Sequence, residues 1–217
     1  MRIWRIAVLT LAVSLGASHA GADTVTLELM GGSAINLPSP LTVQQSGFPA
    51  IRVSRARYET RPFGSYPYYT LRLGVWRGDG AWEVEHIHHR LFLTNPPPEI
   101  KVFAVHYGYN YFLLGRAWKR SGFTYRVGAG PLFTNPESTV RDRQFVSRAS
   151  FLDGGYYFSG LGTRAAVGRT LRLTNHLFLV GEGSFTAGFA WSVPIADGSA
   201  SVPNFAVHGH LGIGVAF

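Results

Sequence analysis

The 217-residue chain contains no cysteine. Disulfides, thiolate-bound zinc, iron–sulfur clusters and a cysteine nucleophile are therefore excluded. Charge is scarce: 15% of the residues are Asp, Glu, Lys or Arg, against about 25% in ordinary soluble domains. Lysine is nearly missing, with only Lys101 and Lys119, so the basic side chains are almost all arginine. The formal net charge is +8, but the arginines stand singly, as at Arg52, Arg72, Arg116, Arg126 and Arg164. No basic run, zinc-finger spacing or helix-turn-helix pattern accompanies them, so a nucleic-acid partner is not expected. Also missing are an apolar run of the ~20 residues that would cross a bilayer as a helix and, after the first 22 residues, helical periodicity.

Residues 1–22 have the pattern of a cleavable export signal. Arg2 and Arg5 form the positive end, residues 6–15 a short apolar stretch, and Ala17, Ser18, Ala20 and Ala22 a small-residue cleavage region. Cleavage fits after Ala20 or Ala22.

The rest of the chain alternates with period two, the mark of strands with one apolar face. In 204–217 Phe205, Val207, Leu211, Ile213, Val215 and Phe217 share one face; Asn204, Ala206, His208, His210, Gly212 and Gly214 share the other. In 176–191 Leu177, Leu179, Phe185, Phe189 and Trp191 oppose Glu182, Ser184 and Thr186. In 123–133 Phe123, Tyr125, Val127 and Phe133 oppose Thr124, Arg126, Gly128 and Gly130. In 102–115 the greasy face is read as Phe103, Val105, Tyr107, Tyr109, Tyr111 and Leu113. A soluble sandwich would carry abundant charge on its second faces. Here those faces are small, with isolated Arg, Glu and His, which suits the crowded interior of a narrow barrel whose aromatic outside meets lipid.

Counting strands back from the C-terminus gives 204–217, 176–191, 159–171, 122–133, 102–118, 81–93, 67–77 and 49–60. Three short turns alternate with four longer loops, the asymmetry of a transmembrane barrel. The expected fold is all-β, an antiparallel up-and-down barrel over 48–217. Eight strands are favoured; residues 23–47 form either an N-terminal extension or an extra hairpin that would make ten. Trp76, Trp82 and Trp118 lie near the predicted periplasmic turns, and Tyr66, Tyr68, Tyr69, Tyr156, Tyr157 and Trp191 toward the other rim, as two interface belts would. Trp76 and Trp118 fall on the inward parity, where they would cap the lumen unless a bulge shifts the register.

The export signal, the alternating strands with unequal loops and the terminal strand ending in Phe217 together resemble small bacterial outer-membrane β-barrels of the OmpA and OmpX kind. That resemblance implies insertion in the outer membrane, with Phe217 read by the barrel assembly machinery. It also implies contact with outer-membrane lipid and lipopolysaccharide, a monomeric state and no cofactor.

Inward parity collects Arg72, Glu83, Glu85, His106, Asn110, Arg116, Arg126, Arg164, Glu182, His208 and His210. Eight strands leave a lumen just wide enough for side chains, so these residues are read as a polar plug paired across strands. Four arginines against three glutamates leave a cationic excess, which a hydrated interior or an anionic ligand would relieve. His86 and His88 share a face at i, i+2, and with His106 on the next strand they are weak metal candidates. The expected role is structural or surface-binding, the long outer loop 134–158 with Arg141, Asp142, Arg143 and Arg148 being one candidate surface. The alternatives are a narrow channel and an outer-membrane lipid hydrolase. Members of the lipid A deacylase family resemble this chain in size and strand number, but their His-x-Ser pair is absent at His106-Tyr107-Gly108 and His208-Gly209-His210, so no catalytic residue is assigned. Gly160-Leu161-Gly162-Thr163-Arg164-Ala165 looks like a dinucleotide fingerprint but opens an alternating strand with no helix after it.

Overall fold

Few helix-patterned segments and many period-two stretches give strands throughout. Among the described residues of this computed structural model, 23–64, 66–147 and 155–217, every regular element is a β-strand. The export segment 1–22 and Arg148 lie outside those residues. In chain order the strands are β1 (Thr24–Leu37), β2 (Ser39–Gln45), β3 (Ile51–Ala56), β4 (Tyr58–Glu59), β5 (Tyr69–Arg77), β6 (Gly80–Leu93), β7 (Ile100–Arg120), β8 (Phe123–Thr134), β9 (Glu137–Val140), β10 (Arg143–Val146), β11 (Tyr157–Arg172), β12 (Leu177–Ile195) and β13 (Gly198–Ala216).

Eight of them, β1, β5, β6, β7, β8, β11, β12 and β13, form an antiparallel ring. β13 closes on β1 from Thr26 opposite Ala216 to Leu37 opposite Phe205. At the seam Val25 and Phe217 exchange backbone hydrogen bonds of 3.3 and 2.9 Å. Closure removes the unpaired edges of an open sheet. The short turns lie at one end; Ser121 and Gly122 both have positive φ, 52° and 79°, the geometry of a two-residue hairpin turn.

The count of eight matches the sequence reading, but the first strand differs. Thr24–Leu37 is a wall strand, so the barrel begins there and not at residue 48, and 23–47 is neither a separate extension nor a hairpin making ten strands. The segment 49–60 leaves the wall: β3 pairs only with β2, which adds to the far end of β13. β1 presents Leu27, Leu29, Ile35 and Leu37 outward, whereas 49–60 carries Arg52 on one face and Arg55 and Arg57 on the other, so either face would put an arginine into lipid. The loop read at 194–203 is also strand: β12 and β13 run on together and turn at Ala196-Asp197.

β7 is the second correction. Tyr109, Tyr111, Leu113 and Ala117 point inward, while Phe112, Leu114, Arg116 and Trp118 face out. This inverts the faces read from sequence and explains Trp118, which joins Tyr125 on the outer wall in a stacked pair. Both faces of β7 are apolar, so alternation alone could not choose between them. The choice is made across the lumen, where Gly162 and Gly188 leave room for the tyrosines. A Cβ on Gly188 would lie 2.7 Å from both Tyr109 and Tyr111.

The interior has two storeys. Toward the short turns it is ionic. Toward the long loops it is an apolar core in which Leu41, Val43 and Ile51 of β2 and β3 pack with Leu91, Val105, Tyr109 and Val202. β2, β3, β9 and β10 thus fold as a cap that continues the barrel beyond the membrane.

Candidate functional site

The lower lumen holds three arginines and four glutamates. Arg72 is fully enclosed and reaches Glu28 at 2.6 Å, Glu182 at 2.7 Å and Glu85 at 3.0 Å. Arg126 reaches Glu182 at 2.8 Å and Glu83 at 3.0 Å. Arg164 bonds Glu85 at 2.7 Å and also pairs with Glu182. Bidentate arginine forks satisfy several carboxylate lone pairs at once, which lets such charges sit out of water. Above this layer Tyr68 Oη bonds His208 Nδ1 at 2.8 Å and His210 Nε2 at 2.6 Å, and His208 Nε2 meets Thr186 at 2.7 Å. Below it a cavity of about 400 Å³ opens toward the short-turn end, lined by Trp76, Lys119, Arg126, Arg172, His176 and Phe178. Trp76 bonds Thr26 there at 3.2 Å, with Lys119 over its ring. At that lip Arg77 grips Asp23 at 2.8 and 3.0 Å and holds its carboxyl below the ordinary aspartate value.

Of the residues read as lumenal, the structure places Arg72, Glu83, Glu85, Arg126, Arg164, Glu182, His208 and His210 inside. Arg116, His106 and Asn110 are not there. Arg116 lies on the outer wall with its guanidinium 4.8 Å from the Trp82 ring centre. His106 and Asn110 also take the outward parity, because β7 runs opposite to its sequence reading. Glu28, on the strand the reading left out, joins the network. With Arg116 out and Glu28 in, the imbalance changes sign: the lumen carries one carboxylate too many. His210 lies 4.0 Å from Glu182.

The outer wall carries a second polar cluster. His86 and His88 face out from β6 and both bond Asn110 Oδ1 on β7, at 3.1 and 2.9 Å. His86 stacks on Phe112, and His88 on Tyr69. The Asn110 amide joins the two histidines, while His106 lies 3.5 Å from Glu137. Among the described residues no group of three or more His, Asp or Glu is placed to hold a metal.

Just above, β6 and β7 part. Between the pairs His89–Tyr109 and Leu91–Val105, the single residue Arg90 faces His106, Tyr107 and Gly108, a bulge in β7. Gly108 has φ 132°, and a side chain there would collide with the Asn110 amide. Arg90 bonds the backbone oxygens of His106 and Arg61 at 3.1 and 2.8 Å. The loop after β4 thus lies over the break and carries Phe63, which is 95% exposed. Outward parity therefore gathers Leu, Phe, Val and Trp over most of the wall and a polar notch at one height. That height is marked by a row of rings, Phe112, Phe133, Phe158 and Trp191, with neighbouring centres 5.6, 5.8 and 6.1 Å apart. Such a row belongs at a bilayer interface; Trp82, Trp118 and Tyr125 make its counterpart near the short turns.

This is a small transmembrane β-barrel. A closed ring, an apolar outside, two aromatic rows and a plugged inside leave no other solvent for its wall than lipid. No family model and no curated protein matches the sequence. Solved barrels match its shape. They include outer membrane protein OprG from Pseudomonas aeruginosa, at 12% identity over 91% of this chain and 97% of that one, TM-score 0.47. Ail, the attachment invasion locus protein of Yersinia pestis, is 9% identical over 90% and 99%, TM-score 0.43. The outer membrane protease OmpT from Escherichia coli is 8% identical over 93% and 99%, TM-score 0.44. These are likenesses of fold and bring no activity with them.

The sequence reading did not place Glu28 or His89 inside, read Tyr68 as a rim aromatic although it is buried against His208 and His210, and did not find the β7 bulge. Glu28 had a visible signal, since Thr24–Met30 alternates. The bulge's only signal was the glycine in His106-Tyr107-Gly108-Tyr109-Asn110.

Proposed function

We propose that this barrel is a non-conducting membrane protein with a surface-binding role, exercised on its outer wall and extracellular cap toward outer-leaflet lipid and lipopolysaccharide. The supporting observation is the filled lumen: an ionic layer below and an apolar core above leave no route through, so function moves outside. The wall offers chemistry a purely structural barrel does not need. Polar side chains at the lipid interface are costly unless they have a use. Arg61 and Arg90, whose guanidinium carbons lie 4.4 and 4.9 Å from the Phe92 ring centre, stand beside the notch: Arg61 is exposed and shared with Glu59 at 2.9 Å, within reach of lipid phosphates, and buried Arg90 holds the loop beneath it.

The test is native mass spectrometry of the barrel extracted from vesicles that mix lipopolysaccharide with phosphatidylcholine. Lipopolysaccharide should leave the membrane bound to the barrel, and an Arg61→Ala, Arg90→Ala double variant should retain much less. Extraction without lipopolysaccharide, or retention indifferent to both arginines, would overturn the reading.

A further inference from the structure

The cavity at the short-turn end has no part in binding at the outer wall and cap, and it carries charge that the ionic layer above it does not use. We infer that it is a binding site for a small organic anion. A phosphate or carboxylate is held by Lys119 and Arg172, and an apolar or aromatic body lies against Trp76 and Phe178.

The charge comes first. Two groups of the ionic layer reach the cavity, and both are already engaged. Arg126 has Glu182 at 2.8 Å and Glu83 at 3.0 Å; Glu28 has Arg72 at 2.6 Å and Arg126 at 3.5 Å. Lys119 and Arg172 line the cavity below them, and among the described residues neither forms an ion pair with a carboxylate. Glu28 and Asp79 attract Lys119 only from beyond ion-pair distance, and Arg172 opposes it. Asp79 stands on the exposed turn, where water and salt screen it. The surplus carboxylate of the ionic layer offsets one of the two cations at most. Positive charge is left over in a half-enclosed cleft with protein walls, and such a cleft focuses its field on an incoming anion.

The rings come second. Trp76 stands on the inward parity, where no bilayer interface can use it. Its indole N–H donates to Thr26 Oγ1 at 3.2 Å, and Lys119 Nζ lies over its ring, 4.2 Å from the centre. Phe178 is in register with Arg172 across the β11–β12 pair. The wall withdraws side chains to seat both rings. A Cβ on Gly74 would lie 2.8 Å from Thr26 Oγ1 and 3.2 Å from Trp76 Nε1, and a side chain on Gly214 would collide with the Phe178 ring. Short side chains such as Thr124 and Ala216 complete the lining and leave about 400 Å³, within the ~300–1,000 Å³ of small-molecule sites. Water alone would solvate the cations but wet the rings poorly. A molecule with an acidic end and an apolar body suits both.

The experiment titrates the refolded barrel, in a nonionic maltoside detergent that leaves both ends open, and reads binding by calorimetry. The probes are phenyl phosphate, phenylacetate, inorganic phosphate and phenol; heat modifiability on each sample reports folding. Phenyl phosphate or phenylacetate should saturate, and the tighter of the two names the acid. Inorganic phosphate and phenol, each with half of the required chemistry, should bind about tenfold more weakly or less. Lys119→Ala with Arg172→Ala should weaken the acidic aromatic probe by about tenfold or more, while Lys119→Arg should keep it. Trp76→Leu should narrow the gap between phenyl phosphate and inorganic phosphate. The Arg61→Ala, Arg90→Ala variant, altered at the other end of the barrel, should bind like the native chain. A folded barrel that saturates with neither acidic aromatic probe would overturn the site and leave lipopolysaccharide binding untouched. Binding that survives the loss of both Lys119 and Arg172, or that fails with Arg61 and Arg90, would place the anion elsewhere and overturn it too. Inorganic phosphate binding as tightly as phenyl phosphate would overturn the role of the rings.

Discussion

At the scale of single residues, the same arginine side chain has two fates in this protein. Arg72 is enclosed and serves Glu28, Glu85 and Glu182 at once. Arg116 lies outside against Trp82, its charge free to reach water at the membrane surface. Removing one partner of a buried ion network leaves the others charged and unpaired, at a cost of about 3–5 kcal/mol. Arg72→Met should therefore lower the stability of the refolded barrel by about that much, read from urea unfolding in vesicles. Arg116→Ala should stay within about 0.5 kcal/mol. Equal effects of the two would mean that the network contributes nothing. The sequence showed both as inward arginines; what separated them was the parity of β7, which no single residue reveals.

At the scale of the strand, legibility followed contrast between faces. β8, β12 and β13 oppose Leu, Phe and Val to Gly, Thr and Glu, and their faces could be read directly. β7 sets Tyr109, Tyr111 and Leu113 against Phe112 and Leu114, so either face would suit lipid. Its orientation is decided by partners far away in sequence: glycines 162 and 188 on β11 and β12. The first strand was hidden for a related reason. Gly31 and Gly32 interrupt β1 and read as a break, yet Gly32 is where the wall needs a missing side chain, beside the Gly209 carbonyl. Complementarity of this kind is testable as coupling. Gly188→Val should cost about 1–3 kcal/mol by overpacking against Tyr109 and Tyr111. Tyr111→Ala should lower stability by itself, yet the double variant should lose less than the sum of the two single losses. Strict additivity in vesicle unfolding would mean that the tyrosines do not fill the space these glycines leave.

At the scale of the molecule, a barrel that could be a pore is closed twice, by unlike means. The ionic layer fills the membrane-spanning lumen. The cap adds an apolar core from segments that the sequence suggested were outer loops and a first wall strand. Their packing was not legible, because β2, β3, β9 and β10 are short and gain their apolar contacts only against the barrel mouth. Two seals in series make a specific prediction. The intact chain in a planar bilayer should show no conductance steps. Arg72→Ala with Glu182→Ala, which empties the centre of the ionic layer and lets water rise from the cavity around Trp76, should still show none. Water entering from below would meet Tyr109, Leu91, Val105 and Val202, packed with the cap and lacking the charges that would hold an ion. Conductance should appear only when the upper seal is opened as well, for instance by adding Tyr109→Ala and Leu91→Ala. Steps in the native chain would overturn the closed reading. Steps in the lower double variant alone would show that the ionic layer is the sole barrier and that the cap is permeable.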